Sequence, residues 1–230
     1  MNERAYWKKH WEFNDKFKSD NPQVKVGRTV FGEPISNKSW EKTLGFLRTK
    51  LQLKKEKNVL DLCCGNGLVS IDFAKHVKKV FSVDFSENLI SDLQAHKIPN
   101  INARCEDVNE LSFKSNTFDV IIIYFAIQHF NHTETTLLIK KAHGWLKKGG
   151  MLYIGDIPDE KKIWQFFNQK KYRKKYFESI ENSSPIIGNW FTKEFYNYLG
   201  EYLNFKNVEI INQKKYMINN HYRFDVLMTK

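Results

Sequence analysis

A chain of 230 residues is long enough for one domain with a sizeable buried core. Its 41% hydrophobic and 27% charged residues are typical of a globular protein and exclude a disordered chain, and no apolar run approaches the roughly 20 residues of a membrane span. The formal charge of +11 favours negatively charged partners, but the basic residues are spread along the chain, which equally fits a lysine-rich surface.

Cysteine usage and the N-terminus both predict a cytoplasmic protein. Cys63, Cys64 and Cys105 form no C-x-x-C pair and no disulfide framework. The first four residues lead into no apolar signal segment. We therefore expect no membrane partner and predict no metal site, and the sequence leaves the oligomeric state open.

The first forty residues are aromatic, and we expect them to be irregular. The aromatic positions are Tyr6, Trp7, Trp11, Phe13 and Phe17. Ser39 is predicted to cap the first regular helix, because apolar residues then recur on one helical face. These residues are Trp40, Leu44, Leu47 and Leu51.

Further along, short apolar runs alternate with segments long enough for helices. The runs are residues 58–62, 79–83, 118–123 and 150–155, with a weaker one at Ile101–Arg104. Such alternation predicts right-handed crossovers and a parallel sheet with helices on both faces. Residues 120–123 are apolar on both faces, as a central parallel strand must be.

The region beyond residue 158 predicts helices and then two more strands. Ile163, Phe166, Phe167, Phe177 and Ile180 suit a helix with a basic outer face, and Thr192 can cap another. Strands are predicted near Val208–Ile211 and Tyr222–Met228, and the polar segment between them is too short for a helical crossover. The predicted fold is therefore α/β and doubly wound, with a seven-stranded, mostly parallel sheet and an antiparallel last strand.

The strongest local signal is V-L-D-L-C-C-G-N-G, residues 59–67, which joins the first strand to a helix. Gly65 and Gly67 allow a tight turn and close approach of a ligand, and the helix N-terminus beyond supplies free N–H groups. The second strand ends in Asp84, about 20 residues after Gly65, where an acid can bind both hydroxyls of a ribose. These features predict a nucleotide-type cofactor.

Two details favour S-adenosylmethionine over a nicotinamide dinucleotide. The third glycine of G-x-G-x-x-G is replaced by Ser70. Asp61, at the end of the first strand, would face a pyrophosphate unfavourably but suits a cationic amino group. S-adenosylmethionine has such a group and carries no phosphate.

The ordered set of motifs resembles that of the seven-stranded, class I S-adenosylmethionine-dependent methyltransferases over about residues 57–158. Asp61–Gly67 is similar to their first motif, D-x-G-C-G-x-G, with Cys63 in place of its first glycine. Further similarity is found at Asp84–Ser86, Cys105–Val108, Phe118–Phe130, the turn Leu146–Gly150 and the reversed last strand Arg223–Leu227.

The resemblance implies a site for S-adenosylmethionine, with S-adenosylhomocysteine as the product. It implies that Asp84 holds the ribose, that Phe85 packs on the adenine, and that Asp107 accepts from the adenine amino group; Asp107 is preferred to Glu106 for its offset from Leu111. The predicted cofactor-binding residues are Arg28, Asp61, Cys63, Gly65, Asn66, Gly67, Asp84, Phe85, Ser86, Asp107 and Val108.

Three residues near the ends of the fourth and fifth strands are candidate catalytic groups. His129 is a candidate general base with an ordinary pKa near 6.5, or a residue that only shapes the pocket. Tyr124 is expected to line the methyl-transfer channel. Asp156 could orient or deprotonate an acceptor, or lie in a solvent-facing loop.

The acceptor is predicted by elimination. The chain has no Pro-Pro sequence of the kind that adenine-N6 enzymes use, no cysteine near the fourth or fifth strand as cytosine-C5 enzymes need, and no paired-glutamate hairpin. We therefore expect a small-molecule O- or N-methyltransferase, with a sugar or a similar polar metabolite as one candidate acceptor. Arg28 could face the methionine carboxylate or an anionic acceptor, or lie on the surface.

Two alternatives stay open at this point. One is an RNA methyltransferase that uses the basic residues 161–175 and their interleaved aromatics. The other is a catalytically silent protein that binds S-adenosylmethionine. In each case residues 1–40 are predicted to close over the active site, and residues 41–230 to form the methyltransferase domain, with a helical insert at about 158–190.

Overall fold

The computed structural model describes residues 3–12, 19–30 and 33–230. The helices are α1 (Glu3–Glu12), α2 (Pro22–Lys25), α3 (Asn37–Lys50), α4 (Ser70–Ala74), α5 (Glu87–Ala95), α6 (His132–Trp145), α7 (Ile163–Phe166), α8 (Lys170–Glu181) and α9 (Lys193–Tyr202). The strands are β1 (Thr29–Val30), β2 (Glu33–Pro34), β3 (Asn58–Leu62), β4 (Lys79–Asp84), β5 (Ile101–Cys105), β6 (Phe118–Tyr124), β7 (Leu146–Pro158), β8 (Asn207–Asn212) and β9 (Arg223–Thr229). Within these ranges no helix has the length and apolar character needed to cross a membrane.

Seven strands form one sheet in the order β5-β4-β3-β6-β7-β9-β8. The strands from β5 to β7 pair in parallel, whereas β9 lies between β7 and β8 and is antiparallel to both. The predicted doubly wound sheet with an antiparallel last strand is confirmed. The short β1–β2 pair forms a separate two-stranded sheet that the sequence did not indicate.

The core lies on both faces of this sheet because the side chains of its central strands alternate between the two faces. On β6, Val120 and Ile122 belong to the core between the sheet and helices α3 and α4. Ile121 and Ile123 belong to the core between the sheet and helices α6 and α9. All four side chains are fully buried. Helices thus cover both faces of the sheet, and the loops that could form a site lie at the ends of the strands.

The order of the strands places a crevice at the carboxyl ends of β3 and β6. From β3 the chain adds β4 and β5 on one side, and it then crosses back to add β6 and β7 on the other side. A reversal of this kind separates the loops that follow the two central strands, and ligands of open α/β sheets bind in the resulting crevice.

Two helix boundaries differ from the sequence predictions. The cap of α3 is Ser36, whose hydroxyl accepts from the backbone N–H of Ser39, so the cap lies three residues before the predicted one. The helix predicted from Ile163 to Ile180 is broken between α7 and α8. Phe167 lies in this break. Its side chain turns inward and is buried, with its ring centroid 4.8 Å from that of Tyr176.

The aromatic N-terminal segment is more regular than predicted. Residues 3–12 form α1, and Trp7 of this helix is buried. Phe13 and Phe17, which the sequence groups with them, lie outside the described residues. Thr192 caps α9 as predicted, and its hydroxyl accepts from the backbone N–H of Phe195.

Candidate active site

The loop that follows β3 turns sharply because three of its residues have positive φ. These are Cys63 (φ +58°), Gly65 (φ +55°) and Gly67 (φ +82°). A Cβ atom at position 67 would lie only 2.3 Å from Leu93 Cδ1 on α5. Gly67 thus allows the loop to pack closely against α5, and the turn directs the backbone of Gly65 toward the crevice.

Asp84, at the end of β4, braces this loop. Its Oδ2 accepts from the backbone N–H of Gly65 at 2.9 Å, and its Oδ1 accepts from that of Ser86 at 3.0 Å. Burial raises the pKa of the Asp84 carboxyl, and these hydrogen bonds oppose that rise. One carboxylate therefore joins the ends of β3 and β4 while it faces the crevice.

The crevice opens into a cavity of about 1120 Å³, part of it open to solvent. Its size is comparable to pockets that hold drug-sized ligands, roughly 300–1,000 Å³. Eleven predicted site residues line it: Arg28, Asp61, Cys63, Gly65, Asn66, Asp84, Phe85, Asp107, Val108, Tyr124 and His129.

Asp61 is the most perturbed acid of the cavity. Burial raises its pKa to about 7, and the nearby charge of Asp84 acts in the same direction. Ser70 Oγ donates to Asp61 Oδ2 at 2.6 Å and opposes the rise. The midpoint of its ionisation therefore lies close to neutral pH. A buried carboxyl of this kind is suited to bind a cationic group that enters the cavity, because the cation stabilises its ionised form.

Arg28 is buried at the wall of the cavity rather than exposed in a turn. Its guanidinium carbon lies 4.2 Å from the ring centroid of Trp40 and 4.9 Å from that of Tyr124, whose hydroxyl accepts from an Nη at 3.2 Å. Within the described parts of the chain no carboxylate forms an ion pair with it. A buried cation held only by aromatic rings and one hydroxyl is suited to an anionic ligand group.

His129 is half-buried and packs against α1, with its ring centroid 4.2 Å from that of Trp7. Burial, reinforced by the charges of Arg223 and His10, lowers the pKa of its imidazole to about 3. The imidazole is therefore neutral at physiological pH, but it binds a proton far less readily than an ordinary histidine.

Several buried polar atoms at the cavity have no hydrogen-bond partner among the described residues. They are Trp7 Nε1, Arg28 Nε, Asn66 Oδ1 and His129 Nδ1. Buried polar groups are almost always satisfied in folded proteins, so a cluster of exceptions at one cavity indicates that a ligand supplies the missing partners.

Three predicted site residues do not line the cavity. Gly67 faces Leu93, and Ser86 caps α5 through its hydroxyl. The catalytic role predicted for Asp156 is not supported by its position. Its φ of +65° turns the side chain into a buried network, where Gln213 Nε2 donates to Oδ1 at 2.9 Å and Asn219 Nδ2 to Oδ2 at 3.0 Å.

The structure distinguishes Asp107 from Glu106, the two acids that the sequence offered as acceptor for the adenine amino group. Asp107 lines the cavity, whereas Glu106 points away and forms an ion pair with Arg104 at 3.7 Å. Ten further lining residues were not predicted as site residues; some directly follow predicted ones, and others come from other helices and loops. They are Val26, Trp40, Leu68, Val69, Leu89, Asn109, Phe125, Ala126, Phe130 and Glu134. Some of these have a readable sequence signal. Phe125, Ala126 and Phe130 lie in the segment Phe118–Phe130 that resembles a methyltransferase motif, and Glu134 forms the capping box of α6 with Asn131.

The fold and this region of the sequence both match methyltransferases. Residues 59–150 match the family model of the methyltransferase domain. Magnesium protoporphyrin IX methyltransferase from Synechocystis PCC 6803, solved with bound S-adenosylhomocysteine, superimposes with a TM-score of 0.67 at 13% identity, covering 100% of each chain. Residues 59–150 thus resemble a methyltransferase domain, as the motifs predict, and the chain has the Rossmann-like fold of class I S-adenosylmethionine-dependent methyltransferases.

Two relatives have names that refer to ubiquinone and to demethylmenaquinone. The chain is 34% identical over 117 residues to the ubiquinone biosynthesis O-methyltransferase of Coxiella burnetii, a match that covers 50% of this chain and 49% of the relative. It is 27% identical over 192 residues to the demethylmenaquinone methyltransferase of Staphylococcus carnosus, covering 76% and 77%. The chain thus spans about half the length of the first relative.

Proposed function

We propose that the protein transfers the methyl group of S-adenosylmethionine to an oxygen or nitrogen atom of a small molecule. The observation that carries this proposal is the cavity at the carboxyl ends of β3 and β4. There the glycine loop, Asp61, Asp84 and Asp107 all face one space. The loop and the three acids lie within the segment that matches the methyltransferase domain.

The residues of the cavity fit the chemical groups of this cofactor. Asp61 supplies a carboxylate for the amino group, and Arg28 supplies a cation for the carboxylate. Asp84 offers acceptors to the ribose hydroxyls, and Phe85 and Val108 offer apolar surface to the adenine. The unpartnered Arg28 Nε and Asn66 Oδ1 support the same assignment, since each needs a ligand atom.

The remaining wall of the cavity suits a flat, apolar acceptor body. Trp7, Trp11, Phe125 and Phe130 line it together with His129. Aromatic walls of this kind pack against rings, whereas a sugar would leave many hydroxyls unpaired. The relatives named for ubiquinone and demethylmenaquinone support a ring-containing acceptor over the sugar considered from sequence.

Catalysis on this proposal depends mainly on alignment. When bound, the sulfonium of S-adenosylmethionine supplies an already activated methyl group, so the protein needs to hold an acceptor lone pair in line with it. The neutral His129 imidazole, with Nδ1 unpartnered, can accept a hydrogen bond from an acceptor hydroxyl. Its lowered pKa makes it a weak base, so we expect no loss of rate from its protonation near pH 6.5.

The RNA alternative has less support than the small-molecule one. The basic side chains of α8 are exposed, and none of them lines the cavity. Cofactor binding without transfer to any acceptor would instead support the silent-binder alternative.

Calorimetry with S-adenosylhomocysteine tests the proposal, and NADH serves as the competing cofactor. We expect S-adenosylhomocysteine to bind and NADH not to bind comparably. Asp84→Ala removes the proposed ribose acceptor and should weaken binding by about 1–3 kcal/mol. Asp84→Asn, which keeps one acceptor for the Gly65 N–H, controls for loss of the loop brace.

Transfer of radiolabelled methyl from S-adenosylmethionine to phenolic, amine, sugar and RNA acceptors then tests the reaction. We expect transfer to a phenol or an aromatic amine. An unchanged affinity in folded Asp84→Ala would overturn the assignment of Asp84 to the ribose. No binding of S-adenosylhomocysteine by the wild type would overturn the cofactor, and transfer to RNA alone would overturn the acceptor.

A further inference from the structure

Four large apolar side chains of the helical insert face solvent side by side. Trp164, Phe177, Ile180 and Ile186 are 51%, 54%, 58% and 45% exposed, and we call them the apolar patch. The Trp164 and Phe177 ring centroids are 6.1 Å apart, and Phe177 and Ile180 lie three residues apart on α8. Ile180 and Ile186 line one open cleft of about 860 Å³. Elsewhere in the described chain, comparable exposure is found at Leu137, Tyr198 and Tyr202.

Basic side chains surround this apolar patch. Helix α8 carries five of them, all but one within its first turn and a half, against two acidic residues near its end: Lys170, Lys171, Arg173, Lys174 and Lys175, with Glu178 and Glu181. Lys174 forms an exposed ion pair with Glu178 at 3.5 Å. A helix that carries bulky apolar residues beside many lysines is typical of segments that lie in the interface of an anionic bilayer.

The segment that follows Ile186 of the apolar patch packs against elements that form the wall of the cofactor cavity. The backbone N–H of Asn189 donates to Gln128 O at 2.7 Å. A Cβ atom at Gly188 would lie 2.3 Å from the same oxygen and 3.3 Å from Trp7 Cζ2. The segment that carries Ile186 therefore contacts both α1 and the turn that carries His129, two parts of the cavity wall.

We propose that the helical insert docks on an anionic lipid surface. The apolar patch enters the boundary between headgroups and acyl chains, and the basic side chains of α8 contact the lipid phosphates. This mode of binding replaces the expectation of no membrane partner, since the insert lies on the bilayer and does not cross it. Vesicle binding can be measured without turnover, so this proposal and the proposed function can fail independently.

A lipid surface fits the apolar patch better than RNA does. Single-stranded RNA is bound by aromatic rings on which bases stack. Half of the apolar patch is aliphatic, namely Ile180 and Ile186, and these side chains cannot stack on bases. Transfer of their exposed apolar surface from water into an apolar phase is favourable.

Vesicle flotation with the full chain tests the proposal. We expect the protein to float with phosphatidylcholine vesicles that contain about one third phosphatidylglycerol, to bind vesicles of phosphatidylcholine alone poorly, and to bind less as salt rises. Phe177→Ser with Ile180→Ser should weaken binding at least about tenfold, because the buried apolar area is lost. Tyr198→Ser with Tyr202→Ser, at two equally exposed positions of α9, should leave it unchanged.

The charge contribution is tested by a matched pair of variants. Changing Lys170, Lys171, Lys174 and Lys175 to Gln should weaken vesicle binding at least about tenfold. The same change at four exposed lysines outside the insert should have a much smaller effect; these are Lys54, Lys75, Lys78 and Lys114. A blue shift of tryptophan fluorescence on vesicle addition should diminish in Trp164→Phe.

Three results would overturn the proposal. The first is no binding to the anionic vesicles. The second is equal binding by the Phe177→Ser, Ile180→Ser variant, which would indicate a general charge effect of the +11 chain. The third is displacement of the vesicles by a structured RNA at lower concentration, which would assign the surface to nucleic acid.

Discussion

Asp61 provides a pH test of the proposed cofactor site. Burial raises its pKa to about 7, so about half of these carboxyls are ionised at pH 7 and about a tenth at pH 6. The ammonium group of the cofactor needs the ionised form. We therefore expect the affinity for S-adenosylhomocysteine to fall roughly fivefold from pH 7 to pH 6, measured by calorimetry at both values.

The control for this test is Asp61→Asn. It should bind more weakly at pH 7, and its affinity should be nearly constant between pH 6 and pH 7, because residue 61 no longer titrates. The same pH dependence in wild type and variant would assign the titration to another group. Asp84 is one such group, since burial also raises its pKa.

His129 makes a second prediction, for stability. Burial lowers its native pKa to about 3, whereas a histidine of the unfolded chain titrates near 6.5. Between these values the unfolded state binds a proton that the native state does not, so the free energy of unfolding falls as the pH falls. From pH 7 to pH 5 this group should contribute a loss of about 2 kcal/mol, measured by urea unfolding.

His129→Gln should therefore lose about 2 kcal/mol less than wild type over the same pH range. His96→Gln, at an exposed position, should keep the wild-type dependence. If His129→Gln also kept it, the imidazole would have to be accessible to protons, for example through release of α1 from the ring.

The individual site residues divide into those that the sequence could locate and those that it could not. Asp61 and Asp84 were predictable because each ends a readable apolar strand, and parallel strands bring their carboxyl ends together. The position of Asp156 away from the cavity was not predictable, because its positive φ and its partners from residues 213–219 depend on tertiary structure. Trp40 was identified as a core residue of α3, and its second contact with Arg28 had no sequence signal.

At the scale of elements, the packing of the glycine loop on α5 can be tested through Gly67. Gly67→Ala places a methyl group 2.3 Å from Leu93 Cδ1 at a φ of +82°. We expect it to destabilise the fold by about 1–3 kcal/mol, through both overlap and backbone strain. Chemical denaturation gives the value.

A double-mutant cycle with Leu93→Ala separates the two causes. If overlap dominates, the double variant should be more stable than the sum of the single effects implies, since the smaller side chain accommodates the new methyl group. Strict additivity would assign the whole cost to the positive φ. Leu89→Ala, on the same helix, is the control for a general loss of packing on α5.

Helices and strands were predictable where hydrophobic periodicity set them. The seven strands occur near their predicted positions, and α9 begins after Thr192 as expected. The break between α7 and α8 was not predictable, because periodicity alone could continue through it. Phe167 turns inward there to contact Tyr176 and Trp190. Likewise, serines at 36 and 39 are both acceptable caps, and the structure selects the first.

At the scale of the whole molecule, the sheet order predicts how protection against hydrogen exchange is distributed. Strands β3, β6 and β7 have a hydrogen-bonded neighbour on each side, whereas β5 and β8 are the two edges. We expect backbone amides of β6 to exchange only through global unfolding, and those of Asn207–Asn212 to exchange through smaller openings. Mass spectrometry of exchanged peptides measures this difference, and equal protection in β6 and β8 would contradict it.

The overall architecture was predictable from the alternation of strands and helices together with the short link between the last two strands. The resemblance to the methyltransferases implied a reversed last strand. The placement of β9 between β7 and β8 was not predictable from periodicity, since a hairpin can join a sheet by either strand. The cavity could be located at the carboxyl ends of the strands. However, α1, which lines it, and the helical insert, which packs against Trp7 of α1, have no strand order to place them.

The position of β9 also constrains the order of events as the chain leaves the ribosome. Strand β8 is synthesised first, yet its hydrogen bonds in the sheet are all with β9. Until β9 emerges, β8 has no place in the sheet, and β7 has an open edge where β9 will later pair. The nascent protein therefore holds an unpaired strand and an exposed edge at the same time, an interval in which chaperones or a neighbouring nascent chain can bind.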